Sequence, residues 1–438
     1  MHTPDDLAAD LLRYIDASPT PHHAVAETER RLRDAGYVRL DERAPITGVR
    51  PGARVYFVRG GASLAAFHVG SRPPSDAGMR FIGAHTDSPA LRVRPSPDRS
   101  EARCALVGVE PYGGVLLHTW LDRDLSIAGR VLVEGTGGAI EARLVRVDRP
   151  LLRVPSLAIH LDRTVNTEGL KLNPQKHMVP VVALEPPSAG GKLERFHLRG
   201  LLSTELGTTP DAILGWDLLL YDVQPAARLG ASGELISAPR LDNLASCHAG
   251  LHALRSSGAA PEATRALVLY DHEEVGSRTA RGAASSFLRT LLDRLVRALE
   301  PNTADALDRA LAGSVFVSAD MAHALHPNYT DRHEPDHAPL LGRGPVLKSN
   351  ANQAYATDGE GWARFESWAR RAGVRTQRFV SRSDQSCGTT IGPITAAGLG
   401  IATVDVGNPM LSMHSCRELA AAADVAPMVA LMRAFYES

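Results

Sequence analysis

Two hydrophobic periods alternate along this chain. Thr3-Pro-Asp-Asp6 offers a hydroxyl cap, a proline in the first turn and two acids at the positive end of a helix dipole. Leu7, Leu11, Leu12 and Ile15 then recur on one helical face. Ser18-Pro-Thr-Pro21 breaks that pattern, and a second helix is predicted from about His23 to Ala35, stopped by Gly36. His22 and His23 read as loop or cap histidines. Val55–Val58 and Leu64–Phe67 read as strands paired about Gly60-Gly61. Met79 to Ala84 is an apolar strand that runs into His85-Thr-Asp87 and is closed by Pro89.

After Leu91-Arg-Val-Arg-Pro95 the character changes to short strands and turns: Val115–His118, Ile127–Val133, Ile140–Val147 and Val179–Leu184, punctuated by Pro, Gly and Asn. Regular α/β alternation returns near Ile236. A helix carries Leu244, Cys247, His248, Leu251 and Leu254, with Asp242 at its strand-to-helix junction. The strand Arg265–Tyr270 ends in Asp271-His-Glu273-Glu274, and Ser314–Ala319 ends in Asp320. A long polar loop follows, then a helix marked by Trp362, Phe365 and Trp368, a last strand near Ile401–Val406, and a closing helix from about Ala423. The pattern predicts an α/β fold in which a catalytic domain (1–94 and 235–438) is interrupted by a β-rich domain (95–234).

Length and composition narrow the function. A chain of 438 residues suggests two or three domains. With 44% hydrophobic residues and a net charge of -1, it has neither the basic surface of a nucleic-acid binder nor an apolar run that would span a membrane. Cys104, Cys247, Cys387 and Cys416 form no Cys-x-x-Cys pair, and the first residues show no signal peptide, so a reducing, cytoplasmic setting is expected.

The chemistry sits where apolar strands end. Adjacent carboxylates at a buried strand end repel each other, and burial penalises both charges. A metal resolves the conflict: one carboxylate binds it, and the other accepts a proton from an activated water. His85, Asp242, Asp320 and His414 stand in similar positions, at strand ends or in adjoining loops, as ligands in open α/β sheets do. Two histidines and three carboxylates suit a pair of divalent ions. Mixed nitrogen and oxygen ligation favours zinc, with manganese or cobalt as substitutes. One carboxylate must bridge the pair, and the spare glutamate is then the general base.

The motifs Gly83-Ala-His-Thr-Asp-Ser-Pro89, Arg240-Leu-Asp-Asn-Leu244, Glu273-Glu-Val-Gly-Ser277, Ser318-Ala-Asp-Met321, His326-Pro-Asn-Tyr329, Gly344-Pro-Val-Leu-Lys348, Asn350-Ala-Asn-Gln353 and Leu411-Ser-Met-His-Ser415 follow in fixed order. Tyr112-Gly-Gly114, His118–Asp124 and Ala158–Arg163 mark the insertion. Together they resemble the aspartyl aminopeptidase family of dinuclear zinc exopeptidases, over nearly the whole chain. The resemblance implies a mixed central sheet sandwiched by helices, with the insertion serving oligomerisation or as a lid. It implies that Asp242 bridges two zinc ions, that His85 and Asp320 complete one site, and that Glu274 and His414 complete the other. Glu273 becomes the general base and Asp87 the residue that holds His85. Lys348 pairs with an acidic substrate side chain, Met413 lines the substrate pocket, and His160 reaches the active site of a neighbouring subunit. Peptide substrates and a dodecamer built from dimers follow from the same resemblance. Two segments depart from it: His272, where the family more often carries Asn, and Arg382–Cys387.

Two other readings compete. One is a neutral, leucine-type aminopeptidase or an amidohydrolase with the same zinc pair. The other is a catalytically silent structural protein of the same fold, and intact His85, Asp242, Glu273, Glu274, Asp320 and His414 weigh against it.

Overall fold

In the computed structural model, residues 3–185, 196–256 and 261–438 are described. The chain forms two compact units: 1–87 with 226–413 and 418–438, and 88–225 with 414–417.

The first unit is built on a mixed nine-stranded sheet, counted among the described residues. Its middle strands, Thr264–Tyr270, Met79–His85, Val315–Ala319 and Ala402–Gly407, run parallel. Ser63–His68 and Val346–Lys348 flank them antiparallel. Side-chain alternation explains why helices cover both faces. Ile82, Ala84, Leu267, Leu269, Val315, Val317, Val404 and Val406 pack on one side with Pro4–Asp16, Leu241–Ser256, Gly359–Ala372 and Val425–Tyr436. Phe81, Ala266, Val268 and Phe316 point the other way, against Phe287–Leu299 and Ala306–Ala312. Each large apolar side chain buried in this way contributes roughly 1.5–3 kcal/mol. A smaller five-stranded sheet also belongs to this unit.

The sequence signals at the start hold with one shift. Thr3 and Asp6 form a reciprocal capping box. The second helix starts at Pro21, two residues before the expected His23, because proline is pre-organised for the first helical position. His23 Nδ1 lies 2.8 Å from Thr20 Oγ1 at that end.

The first helices are locked to the helix that carries Asp242. Asp10 Oδ2 lies 3.0 Å from His248 Nε2, 2.7 Å from His252 Nε2 and 2.5 Å from Arg31 Nη1. Burial lowers the His248 imidazole to about 4, against the pull of Asp10. Below its ordinary value of 6.5 the unfolded chain therefore takes up a proton that the native chain refuses. Stability is expected to fall as pH drops from about 6.5 toward 4, by on the order of 3 kcal/mol from this group. Denaturant titrations at stepped pH should show His248→Gln less stable at pH 7.5 but with a shallower acid slope. Parallel slopes would refute the assignment.

The second unit centres on a six-stranded antiparallel sheet, among the described residues, in the order Ile140–Arg146, Leu125–Glu134, Ile213–Asp222, Ala90–Glu101, Cys104–Tyr112 and Val181–Leu184. One predicted strand is absent. Leu117–Trp120 forms a 3-10 turn where Val115–His118 read as extended. Thr119 explains it, since its hydroxyl donates to the Leu116 carbonyl at 2.7 Å, a local bond that competes with strand pairing. The helix Leu198–Leu206 is an element the β-rich reading did not contain. No described helix is long and apolar enough to cross a membrane.

Candidate metal centre

The parallel strands deliver their last residues to one edge. Tyr270 is in register with His85, and Ser318 with Gly83, which brings Asp320 level with His85. Asp320 N–H donates to the Val406 carbonyl at 2.9 Å. That approach leaves no room for a side chain at Gly407, where an added Cβ would sit 1.9 Å from the Asp320 carbonyl oxygen.

His85 is buried at the end of its strand. Its Nδ1 lies 3.0 Å from the Asp87 carbonyl oxygen and 3.5 Å from the Asp87 carboxylate. Its Nε2 faces Asp242 Oδ1 at 3.5 Å and Asp320 Oδ1 at 3.7 Å. Asp242 occupies the first turn of Leu241–Ser256, and its N–H donates to Glu418 at 3.0 Å. Asn243 donates from its side chain to the Ala319 carbonyl at 2.8 Å, fixing that turn to the strand before Asp320. Arg240, with φ 58, donates to the Ser18 carbonyl at 3.0 Å. Glu273 and Glu274 sit on a 3-10 turn, Glu273–Val275, and both main-chain N–H groups donate to the Asp87 carboxylate at 3.1 Å. Asp87 thus meets the imidazole mainly through its carbonyl, while its carboxylate holds the glutamate turn.

The electrostatics call for a cation. Burial pushes the Glu273 and Glu274 carboxyls upward, and Asp242 and Asp87 add to the push. Burial alone would lower His85, yet Asp320 and Asp87 raise it well above its usual range. Asp320 goes the other way: burial opposes ionisation, but Lys348 and His85 hold it below the carboxylate range.

The donor geometry fits zinc. Ligands in a tetrahedron at ~2.0–2.1 Å from zinc stand about 3.4 Å apart, close to the 3.5 and 3.7 Å from His85 to its two aspartates. His85, Asp242 and Asp320 form one group of converging donors, and His85, Glu273 and Glu274 another.

Lys348 is buried, with Nζ 3.1 Å from the Met321 carbonyl, 3.6 Å from Asp320 Oδ2 and 5.0 Å from the Tyr355 ring centre. Met413 lines a cavity of about 300 Å³ together with His323, His326, Arg332, His333, Tyr355 and Arg382. Lys348 is not among its lining residues. His160 and His414 belong to the second unit. His160 is exposed on a turn, and His414 Nδ1 lies 3.1 Å from the Gly114 carbonyl oxygen. Sequence reasoning missed Arg240, Asn243 and Glu418 as supports. The Arg-Leu-Asp-Asn motif held the signal for the first two, and Glu418 carried none.

Known proteins resemble this chain over nearly its whole length. Residues 14–436 match the family described as aminopeptidase I zinc metalloprotease (M18). A probable M18 family aminopeptidase 2 of Stutzerimonas stutzeri is 45% identical over 434 residues, 99% of each chain. A protein of the same description from Streptomyces avermitilis is 46% identical, covering 98% of this chain and 97% of that one. Among solved structures, the S. cerevisiae mApe1 dodecamer superposes with a TM-score of 0.87 at 30% identity, over 100% of this chain and 97% of that one. The M18 aminopeptidase of Thermotoga maritima gives 0.88 at 26% identity, over 99% and 96%. With the strand-end histidine and carboxylates as its chemical core, this chain belongs to the M18 family of zinc aminopeptidases.

Proposed function

We propose that this aminopeptidase works with two zinc ions and prefers peptides that begin with Asp or Glu. The observation that carries the reading is the convergence of His85, Asp242 and Asp320 beside the Glu273–Glu274 turn. In it, His85 and Asp320 would hold one ion, Glu274 and His414 would hold the other, and Asp242 would serve both. Because His414 Nδ1 meets the Gly114 carbonyl at 3.1 Å, its ligating nitrogen would be Nε2. Bound zinc supplies Lewis-acid polarisation of the scissile carbonyl and acidifies water. Manganese or cobalt would serve the same ligands. Glu273 takes the proton from the attacking water and returns it to the departing amine. Asp87 keeps that carboxylate aimed by holding its main-chain N–H.

His160 would add a hydrogen bond to the oxyanion from a neighbouring subunit. Its neighbours Leu157, Ile159 and Leu161 are 64%, 45% and 75% exposed, which suits a turn covered by another copy. The S. cerevisiae relative was solved as a dodecamer, and the same assembly, built from dimers, is proposed here.

Acidic preference rests on Lys348, and the cavity lined by Tyr355, whose ring Lys348 faces, carries Arg332, Arg382 and three histidines beside one acid, Glu334. The test is hydrolysis of Asp-, Glu- and Leu-aminoacyl reporters by chelated and zinc-reloaded protein. Metal-dependent release favouring Asp and Glu is expected, and Lys348→Ala should lower kcat/KM on those two by about 10-fold or more, in line with loss of a charge-assisted contact. Lys348 also touches Asp320, which makes the opposite outcome concrete. An equal loss on Leu would assign Lys348 to the metal site and leave a neutral aminopeptidase.

A further inference from the structure

Strand Thr264–Tyr270 does not feed straight into the two glutamates. Asp271 and His272 intervene, and His272 adopts φ 65 and ψ 25, the left-handed region that an L side chain seldom takes. Such a backbone persists where its surroundings hold it. Here the hold is specific. His272 N–H donates to Asp271 Oδ1 at 2.9 Å. Arg281 Nη2 lies 3.1 Å from His272 Nε2, and Arg281 Nε lies 3.2 Å from Asp271 Oδ2. A guanidinium only donates, so with Arg281 on Nε2 the neutral imidazole is left to donate from Nδ1 to Thr279 Oγ1 at 2.7 Å, while Nε2 also lies 3.4 Å from Asp271 Oδ2. One tautomer satisfies both contacts.

Arg281 is anchored in turn. Its Nη1 reaches His22 Nε2 at 3.4 Å. Its carbonyl accepts from Ser63 Oγ at 2.8 Å, and the same Oγ accepts the Asp271 N–H at 3.0 Å. Its aliphatic stem lies across the hairpin turn, so a Cβ added at Gly60 would sit 2.5 Å from Arg281 Cδ. The glutamate turn is therefore gripped from two sides: Asp87 holds the N–H groups of Glu273 and Glu274, and Arg281 holds the residue just before them.

We propose that Arg281, acting through His272 and Asp271, is a positioning residue that sets the direction of the Glu273 carboxylate. The inference rests on the reading of Glu273 as general base. Arg281 acts on another side chain and not on substrate. Its planar fork matters, because one guanidinium spans an imidazole nitrogen and a carboxylate, a geometry a lysine ammonium does not reproduce. A carboxylate displaced by about 1 Å loses on the order of 10²-fold in rate, so the effect should appear in kcat.

The experiment measures kcat, KM and zinc content of full-length Arg281→Ala, Arg281→Lys and His272→Gly, with Glu273→Gln and the double variant Glu273→Gln/Arg281→Ala alongside. Arg281→Ala is expected to lower kcat by about 10–100-fold with KM and zinc content little changed. Arg281→Lys should not restore it. If Arg281 works only through Glu273, adding Arg281→Ala to Glu273→Gln should cost nothing further, a non-additivity that a merely structural role would not produce. His272→Gly, which keeps the left-handed backbone and removes the imidazole that Arg281 grips, provides the second route should the arginine variants fail to fold, and it should show the same kcat loss. Unchanged kcat in Arg281→Ala or His272→Gly, or a loss that tracks zinc content, overturns the inference. Should Glu273→Gln itself stay active, the general-base reading fails instead.

Discussion

Glu273→Gln is expected to leave only a small residual turnover while zinc stays bound. Glutamine keeps the shape and the main-chain N–H on Asp87, 3.1 Å away, but it accepts no proton. General-base catalysis contributes about 10²–10⁴-fold, so kcat should fall by at least that range while KM moves little. Nothing in the substitution removes a proposed ligand, since Glu274, Asp242 and His85 remain. Metal analysis of the purified variant should therefore match the wild type. Near-normal kcat would transfer the base role away from Glu273.

Asp242→Asn is expected to do the opposite: metal leaves first, and activity follows. Asp242 Oδ1 stands 3.5 Å from His85 Nε2 and is proposed to touch both ions. Replacing the bridging anion by a neutral amide should bring zinc content from two per chain to below one and reduce hydrolysis to background. Stability gives a second and sharper readout. Without metal, Asp242 adds charge to a buried group that includes Glu274, whose carboxyl burial and Asp242 push upward. The metal-free Asp242→Asn variant should therefore melt above metal-free wild type, whereas zinc should raise the wild type alone. Occupancy at 100 times the dissociation constant is worth about 2.7 kcal/mol. A metal-free variant that melts below metal-free wild type would refute the proposed repulsion.

The sequence made much of this centre legible because each parallel strand is a short apolar run that ends abruptly in an acid or histidine. His85, Glu273 and Asp320 could be placed at strand ends by period alone. The α/β fold with a β-rich insertion was readable for the same reason, since the hydrophobic period changes near each end of that insertion, although the second unit spans 88–225 and also takes in 414–417. What escaped depends on contacts between distant residues. Glu418 bonds the Asp242 N–H from 176 positions away, and no local pattern announces it. The five-stranded sheet is assembled from strands as short as Ala322–His323 and Pro409–Leu411, too brief to carry a period. The Val115–His118 strand failed because an apolar run does not reveal that Thr119 will bond its own backbone. His272 stood out only as a departure from a resemblance, and its partner Arg281 had no signal at all until both were seen in space.

The strand that carries His85 takes its neighbours from Thr264–Tyr270 and Val315–Ala319, so the order of synthesis matters. On the ribosome, residues 79–85 emerge long before either neighbour exists. Within the nine-stranded sheet, Val38–Arg39, Arg54–Arg59 and Ser63–His68 can pair with one another early. Closing the intervening loops costs entropy that grows slowly with length, and such non-local pairing is slow. Until Asp320 and then His414 have left the exit tunnel, the nascent chain carries His85 and several of the acids but not the whole proposed ligand set. With the proposed ligands, zinc capture would be a late, near-terminal event in biogenesis. A chain stalled before residue 320 should leave the cell's zinc untouched and offer its exposed strand edges to chaperones.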